Sequence, residues 1–368
     1  MTLVVLLILT IILFLAVQLL DYKTRYEQPA FLIYSIPLIL YILTYGLRDG
    51  WFQDFAVYEN IYMNPFLDSE YDPFFILVNR IMRFLNFPLF MAMTVYVAFF
   101  VVGIFFFFMQ KRKYLGIAMA ITVMVSVMEL GMLIRWLFGL GLLLASMRYF
   151  IQKELVKCLV FFVLAVCTHF PLIIVGAIAL LCYYFNPFRN VYVSLALLFL
   201  SLLITPQVLA SWTLFLLEHL NIFPSSLHVS AYINNPHVVD KYFAGDNLGL
   251  GESLSKMTLI KNVFYYCWFI VCGYLVQKKN DNKLWKTVYN LFVLSAIFAQ
   301  PSQGFELMMR FEYALMVPAM LLFAKIIVDF FKKGYLMSGL ISIFLLLLNF
   351  GFSIRYILSE YNLNYISF

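Results

Sequence analysis

Apolar stretches, each near the length of a membrane crossing, alternate along this chain with short charged ones. A spanning helix needs about 20 mostly apolar residues. By that measure spans are predicted at 2–20, 30–47, 87–110, 114–131, 132–150, 191–210, 258–277, 285–300, 310–331 and 335–354. The run from Lys157 to Phe185 is too long for one upright helix and short for two, and Thr168-His169-Phe170-Pro171 sits in its middle. It reads as a short or broken helical hairpin with His169 near the turn. The predicted fold is an all-α, polytopic transmembrane bundle of about 12 crossings, forming one integral-membrane domain over residues 1–368. Met1–Leu20 has neither a basic leading region nor a small-residue cleavage site, so it is expected to stay as the first helix.

The distribution of charge orients these spans. Lys23 and Arg25, Lys111-Arg112-Lys113, Arg148 to Lys157, Arg189, Lys278 to Lys286 and Lys332-Lys333 fall at alternate turns. The positive-inside rule makes those turns cytoplasmic. The remaining loops, 48–85, 221–257 and the short turn Gln300–Arg310, then face outward. The alternation holds only if 157–185 crosses twice. Both termini come out on the external side. The first outer loop carries three arginines against six acids over 48–83. Asp72-Pro73 is a helix start, with the carboxylate expected to cap free N–H groups and Pro at the first helical position. Behind it, Phe74, Phe75, Leu77, Val78, Ile81, Met82 and Leu85 form an apolar face opposite Asn79, Arg80 and Arg83, the pattern of an interfacial amphipathic helix.

Composition agrees with this class. The chain is 64% hydrophobic and 12% charged, with a mean hydropathy of +0.92. Soluble domains carry about 25% charged residues. The net charge of +6 sits in the short clusters that orient helices, so no nucleic-acid partner is expected. Cys158, Cys167, Cys182, Cys267 and Cys272 all lie in apolar runs at irregular spacing. They suggest packing residues, not a disulfide framework or a zinc site. His219, His228 and His237 are nine residues apart, which fits no metal motif.

Charges at the mouths of membrane helices are costly and mark candidate functional sites. Arg48, Asp49 and Asp54 follow the second span. Glu129 and Arg135 flank a tight turn, His169 lies at the hairpin turn, and Glu306, Arg310 and Glu312 begin a late span. All are assigned to one leaflet depth. Each has a plainer reading: Arg48 and Arg310 as helix-end anchors, Glu129 with Arg135 as a structural ion pair, His169 as a hydrogen-bonded core histidine. Several arginines at one depth point further. Guanidinium groups grip phosphate with paired hydrogen bonds and stay charged in an apolar cleft. A lipid diphosphate, headgroup at the interface and isoprenoid tail in the bilayer, suits such a cavity.

These residues also carry a family resemblance. Arg48-x-Gly50-x-x-x-Asp54-x-x-x-Tyr58 resembles the motif after the second helix of the EpsG-type, Wzy-like family of bacterial polysaccharide polymerases. The likeness continues in order through Tyr71-Asp72-Pro73-Phe74, where the family usually has Glu before Pro, and through Leu133-Ile134-Arg135-Trp136-Leu137, where Trp136 and Phe138 depart from it. Cys167-Thr168-His169-Phe170-Pro171 and Arg310-Phe311-Glu312-Tyr313 beside Pro318 complete it.

The resemblance implies a membrane glycosyltransferase like those that use polyprenyl carriers (GT-C-like). It would act on the outer face of the cytoplasmic membrane, moving a growing glycan from undecaprenyl diphosphate to the non-reducing end of the next lipid-linked repeat unit. No metal, cofactor or nucleotide sugar is implied. Lipid-linked oligosaccharide and the bilayer are the expected partners, with a chain-length regulator and a flippase as further candidates. In that chemistry Arg48, Arg135 and Arg310 are the candidate diphosphate ligands. Asp54 and His169 are the candidate bases, with Asp72 and Glu129 behind them. Tyr58 and Tyr313 would orient sugar or phosphate oxygens. Tyr232, Asn234, Asn235 and Tyr242 of the second outer loop are candidate glycan contacts. A flippase for lipid-linked sugars, a glycan ligase and an acyltransferase compete with this reading. A flippase would want polar residues through to the inner side, whereas 87–110 is nearly bare of charge.

Overall fold

The computed structural model describes residues 2–49, 53–127, 129, 134–204, 208, 212, 256–279, 282–302, 306–360 and 364–365. His219, His228 and His237 and the candidate glycan contacts Tyr232, Asn234, Asn235 and Tyr242 lie outside these. The helices are α1 (Thr2–Lys23), α2 (Ala30–Ile33), α3 (Ser35–Gly46), α4 (Gln53–Met63), α5 (Pro73–Phe84), α6 (Leu89–Phe108), α7 (Leu115–Val125), α8 (Ile134–Ile151), α9 (Leu155–Thr168), α10 (Leu172–Phe185), α11 (Val191–Ser201), α12 (Lys256–Lys279), α13 (Lys283–Ala299), α14 (Glu306–Met316), α15 (Met320–Lys332) and α16 (Leu336–Glu360). The chain divides into two compact units, Met1–Ile178 with Met320–Phe368, and Ala179–Ala319.

Six helical stretches among the described residues are long and apolar enough to cross a membrane: Thr2–Lys23, Leu89–Val125, Ile134–Ile151, Leu259–Lys279, Met308–Lys332 and Leu336–Leu358. The protein is thus an all-helical, multi-pass membrane protein. The stretch Leu89–Val125 contains two of the spans expected from sequence. They are joined through a 3₁₀ turn, Met109–Tyr114, where Lys111 leaves helical geometry (φ −133°, ψ 62°). Four further apolar helices, α3, α9, α10 and α11, are shorter. At 14 residues, α9 and α10 each reach about 21 Å, less than a hydrocarbon core of about 30 Å. The break between them falls where Pro171 follows Phe170, and His169 is extended there (φ −158°, ψ 104°).

In the first unit, α6 and α8 cross so closely that a methyl on Gly103 would strike the backbone of Gly141, and one on Gly141 the carbonyl of Phe99. Small residues allow such backbone contact where lipid gives no hydrophobic drive between helices. Around the crossing an aromatic layer forms: Phe99 lies 4.2 Å from Phe138, and Phe138 6.1 Å from Tyr96. Outward, α1 presents Val5, Ile12 and Leu19 and α16 presents Met337, Phe344 and Leu347, a lipid-facing surface for a spanning helix. At the basic turn, the fully buried Asp21 takes Arg112 in a two-pronged ion pair (2.6 and 2.9 Å). Lys325 donates to Asp329 at 2.8 Å.

The unit Ala179–Ala319 is organised by Asn290, whose Oδ1 accepts from Phe188 N (3.1 Å) and whose Nδ2 donates to Asn186 Oδ1 (2.8 Å). Asn190 and Asn282 cap α11 and α13 through Tyr192 N and Leu284 N, both at 2.9 Å.

The segment from α4 to α5 is held by ion pairs. Asp68 accepts from Arg80 Nε at 2.8 Å and from Arg83 Nη2 at 2.7 and 2.8 Å. Burial raises its pKa, but these hydrogen bonds and charges outweigh that and hold it below the usual carboxylate range. The faces of α5 divide differently from the apolar and polar sides read off the sequence. Phe75, Ile76, Asn79 and Met82 are buried, whereas Leu77, Ile81 and Phe84 are exposed. The buried Asn79 accepts the Tyr96 hydroxyl at Oδ1, which satisfies one end of its amide. Finally, a two-residue antiparallel pairing, Arg48 with Tyr365 and Asp49 with Asn364, brings β2 (Asn364–Tyr365) against β1 (Arg48–Asp49). The last described residues of the chain thereby close on the charged island after α3.

Candidate active site

The break at His169, the start of α5 and the first described turn of α8 converge. Asp72 occupies the N-cap position of α5, but its side chain makes no capping hydrogen bond. This corrects the sequence expectation. The physical reason is competition: Arg135 Nη1 lies 3.2 Å from Asp72 Oδ2, and a charged partner outbids a neutral backbone N–H. The same oxygen lies 3.7 Å from His169 Nδ1. The three side chains are 16%, 13% and 9% exposed, so they sit at a sheltered but open position.

The surrounding residues hold this cluster. Tyr58, on α4, accepts a hydrogen bond from Arg135 N at 3.2 Å. This bond ties α4 to the first described turn of α8. The Arg135 guanidinium stacks over Tyr71 (5.1 Å) and Phe75 (5.9 Å), contacts favourable to a cation. Trp136 sets its edge against His169 at 5.2 Å. Trp136 is thus an aromatic wall of the cluster. The sequence marked it only as a departure from a motif, because its contact is between residues 33 apart in the chain.

Glu129 is half-buried and close enough to Tyr41 to act on it electrostatically. Tyr41 and Tyr45 bind Ser126 Oγ (2.5 Å) and Val127 O (3.1 Å) just before it. Arg135 pairs with Asp72, where the sequence had offered Glu129 as its structural partner. Arg48 lies in β1 and Asp54 near the start of α4.

In the other unit, Glu312 accepts from Ser295 Oγ (2.9 Å) and Tyr266 OH (3.4 Å). On the same helix Arg310 is half-buried and Tyr313 buried. Glu312 therefore joins α14 to α12 and α13, a role invisible in sequence because its partners are 17 and 46 residues away.

Among the described residues no three His, Cys, Asp or Glu side chains come together as a metal site would require. The cluster offers instead a fixed cation, a carboxylate that neutralises it at rest, and an imidazole. Such a set can bind an anion by exchange of counter-ions and can accept a proton. The EpsG family model matches residues 31–367. The chain belongs to the EpsG family. The match takes in the whole Arg135–Asp72–His169 cluster as well as Arg48, Asp54, Tyr58, Arg310 and Tyr313. EpsG membership and the apolar helices together make this a membrane protein of polysaccharide biosynthesis, of a family that is generally glycosyltransferase-like. No curated protein and no solved structure matches the chain.

Proposed function

We propose that this EpsG protein is a polysaccharide polymerase acting on the outer face of the cytoplasmic membrane. It would transfer a growing glycan from undecaprenyl diphosphate to the non-reducing end of a lipid-linked repeat unit. The observation that carries the reading is the sheltered Arg135–Asp72–His169 cluster at the broken pair α9–α10, inside the matched family region.

The chemistry follows from the residues. An acceptor hydroxyl attacks the anomeric carbon, its proton passes to a base, and the bond from that carbon to the diphosphate oxygen breaks with the electron pair leaving on phosphate. Arg135 stabilises the charge that develops there. An arriving diphosphate replaces Asp72 as counter-ion, so the guanidinium is never without an anion. His169, with Nδ1 towards Asp72, is proposed as the base that takes the proton. Asp54 is the second candidate base. Arg48 is proposed as a further diphosphate ligand, with Tyr58 and Glu129 as orienting groups, and Arg310 and Tyr313 are proposed for the same two roles within their own unit.

The test replaces Arg135, Arg310 and Arg48 singly with Ala, confirms insertion, and sizes surface glycan. Polymerisation predicts that single-repeat glycan persists while long chains disappear. Survival of long chains in all three variants would overturn the site assignment. Intermediates trapped on the inner face would favour the flippase.

A further inference from the structure

The unit Ala179–Ala319 contains a cavity of about 240 Å³ lined by Asn186, Arg189, Tyr274, Gln277, Lys278 and Lys286. Three of these residues are cationic and none is acidic. They come from three elements: the turn between α10 and α11, the end of α12, and the first turns of α13. A lysine at the end of α12 complements that helix dipole. A lysine near the start of α13 opposes it, because a helix N-terminus favours anions. Helix start and cations together therefore favour an anion in the cavity.

The walls are fixed by internal bonds. Gln277 Nε2 donates to Phe188 O at 3.0 Å, and Asn186 Oδ1 accepts from Asn290 Nδ2 at 2.8 Å. Gln277 is only 4% exposed. Its other amide atom, Oε1, is buried with no hydrogen-bond partner in the structure. A buried acceptor left this way is costly. A ligand that carried an O–H or N–H donor beside its anion would satisfy both Gln277 and the cations.

The location also points to a headgroup. Tyr184, Phe185 and Tyr192 are exposed nearby in sequence, and Lys283 lies over the rings of Tyr183 (4.7 Å) and Tyr184 (5.7 Å). Exposed aromatic residues mixed with lysine and arginine mark the membrane–water interface. The cavity is distinct from the Glu312 cluster of the same unit. Tyr274 is eight residues beyond Tyr266 on α12, about 12 Å along the helix.

We propose that this cavity binds a phosphate group accompanied by a hydrogen-bond donor, as in the glycerol headgroup of an anionic phospholipid. The same chemistry could be offered by a soluble phosphate ester, and the test separates the two. The full chain is reconstituted in phosphatidylcholine nanodiscs. Phosphatidylglycerol is added in one arm, glycerol 3-phosphate and inorganic phosphate in two others. Retained lipid is read by native mass spectrometry and the unfolding midpoint by heating. Phosphatidylglycerol is expected to be retained and to raise the midpoint. R189Q and K286Q should each weaken retention about 10-fold, the scale of one lost charge-assisted bond. Arg189 is exposed, so R189Q should unfold like the parent in plain phosphatidylcholine. K157Q, an exposed lysine outside the cavity, should retain lipid normally. Q277L should keep phosphate binding but lose the preference for phosphatidylglycerol over phosphatidic acid, which lacks the glycerol donor. A response to glycerol 3-phosphate without one to phosphatidylglycerol would assign the site to a soluble ester. No response in any arm, or R189Q and K286Q both binding like the parent, would overturn the proposal.

Discussion

Replacing Asp72 by Asn tests the centre of the proposed site, because it removes a charge while keeping the shape. At the 3.2 Å separation of Arg135 Nη1 and Asp72 Oδ2, two unit charges attract by roughly 5 kcal/mol at an effective dielectric of about 20. Desolvation of both groups offsets much of this. Breaking a fully buried pair costs about 3–5 kcal/mol, and the modest exposure here puts the expected loss near 2 kcal/mol. D72N and R135Q should each lower stability by about that much, and the double variant by clearly less than the sum of the two, since the interaction can be lost only once. Thermal unfolding in detergent of the four proteins measures this. Activity should separate from stability. With its carboxylate 3.7 Å from His169 Nδ1, Asp72 would aim the proposed base, and misplacing a reacting group by about 1 Å costs on the order of 100-fold. D72N protein that is folded should therefore extend glycan about 100-fold more slowly per molecule, with D72E, the acid the family usually places there, recovering most of the rate. If the two single variants add in stability, the ion pair is not an energetic contact. If folded D72N polymerises at the parental rate, Asp72 does not position the base.

Three other outcomes check separate links. G141A pushes a methyl into the Phe99 carbonyl at the α6–α8 crossing; overpacking of this kind costs about 1–3 kcal/mol, to be read as a lowered detergent unfolding midpoint, while an unchanged midpoint would mean the helices can separate freely. Asp68 is held below the usual carboxylate range, so its contribution is complete above the unfolded carboxylate pKa of about 4 and is lost as pH falls through the lower folded value; acid titration of stability should fall less steeply for D68N than for the parent, and parallel curves would refute the linkage. E312L removes the acceptor of Ser295 and Tyr266 and should cost about 1–3 kcal/mol, with S295A suppressing part of that loss; an E312L protein as stable as the parent would exclude the joining role of Glu312.

The class of the protein was legible from its residues because hydrocarbon imposes a composition that no soluble core requires. Long apolar runs and sparse charge follow directly from the cost of exposing polar groups to lipid. The break at His169 was legible too, since a run too long for one helix and interrupted by Pro171 must bend. Span length was less so: within the apolar run 191–210, α11 ends at Ser201 and Leu202–Ile204 turn, because apolar composition permits a helix without fixing where it ends. The candidate residues could be named from sequence, but their partners could not. Asp72 read as a helix cap, for capping depends on neighbours three residues away, and became the counter-ion of Arg135, 63 residues distant, only once α5 and α8 packed together. Asp21 with Arg112, Asn79 with Tyr96, and β1 with β2 have the same origin. Periodicity reports which face of a helix is apolar; which charge meets which is decided by the crossing of helices far apart in the chain, and that information exists only in the packed structure.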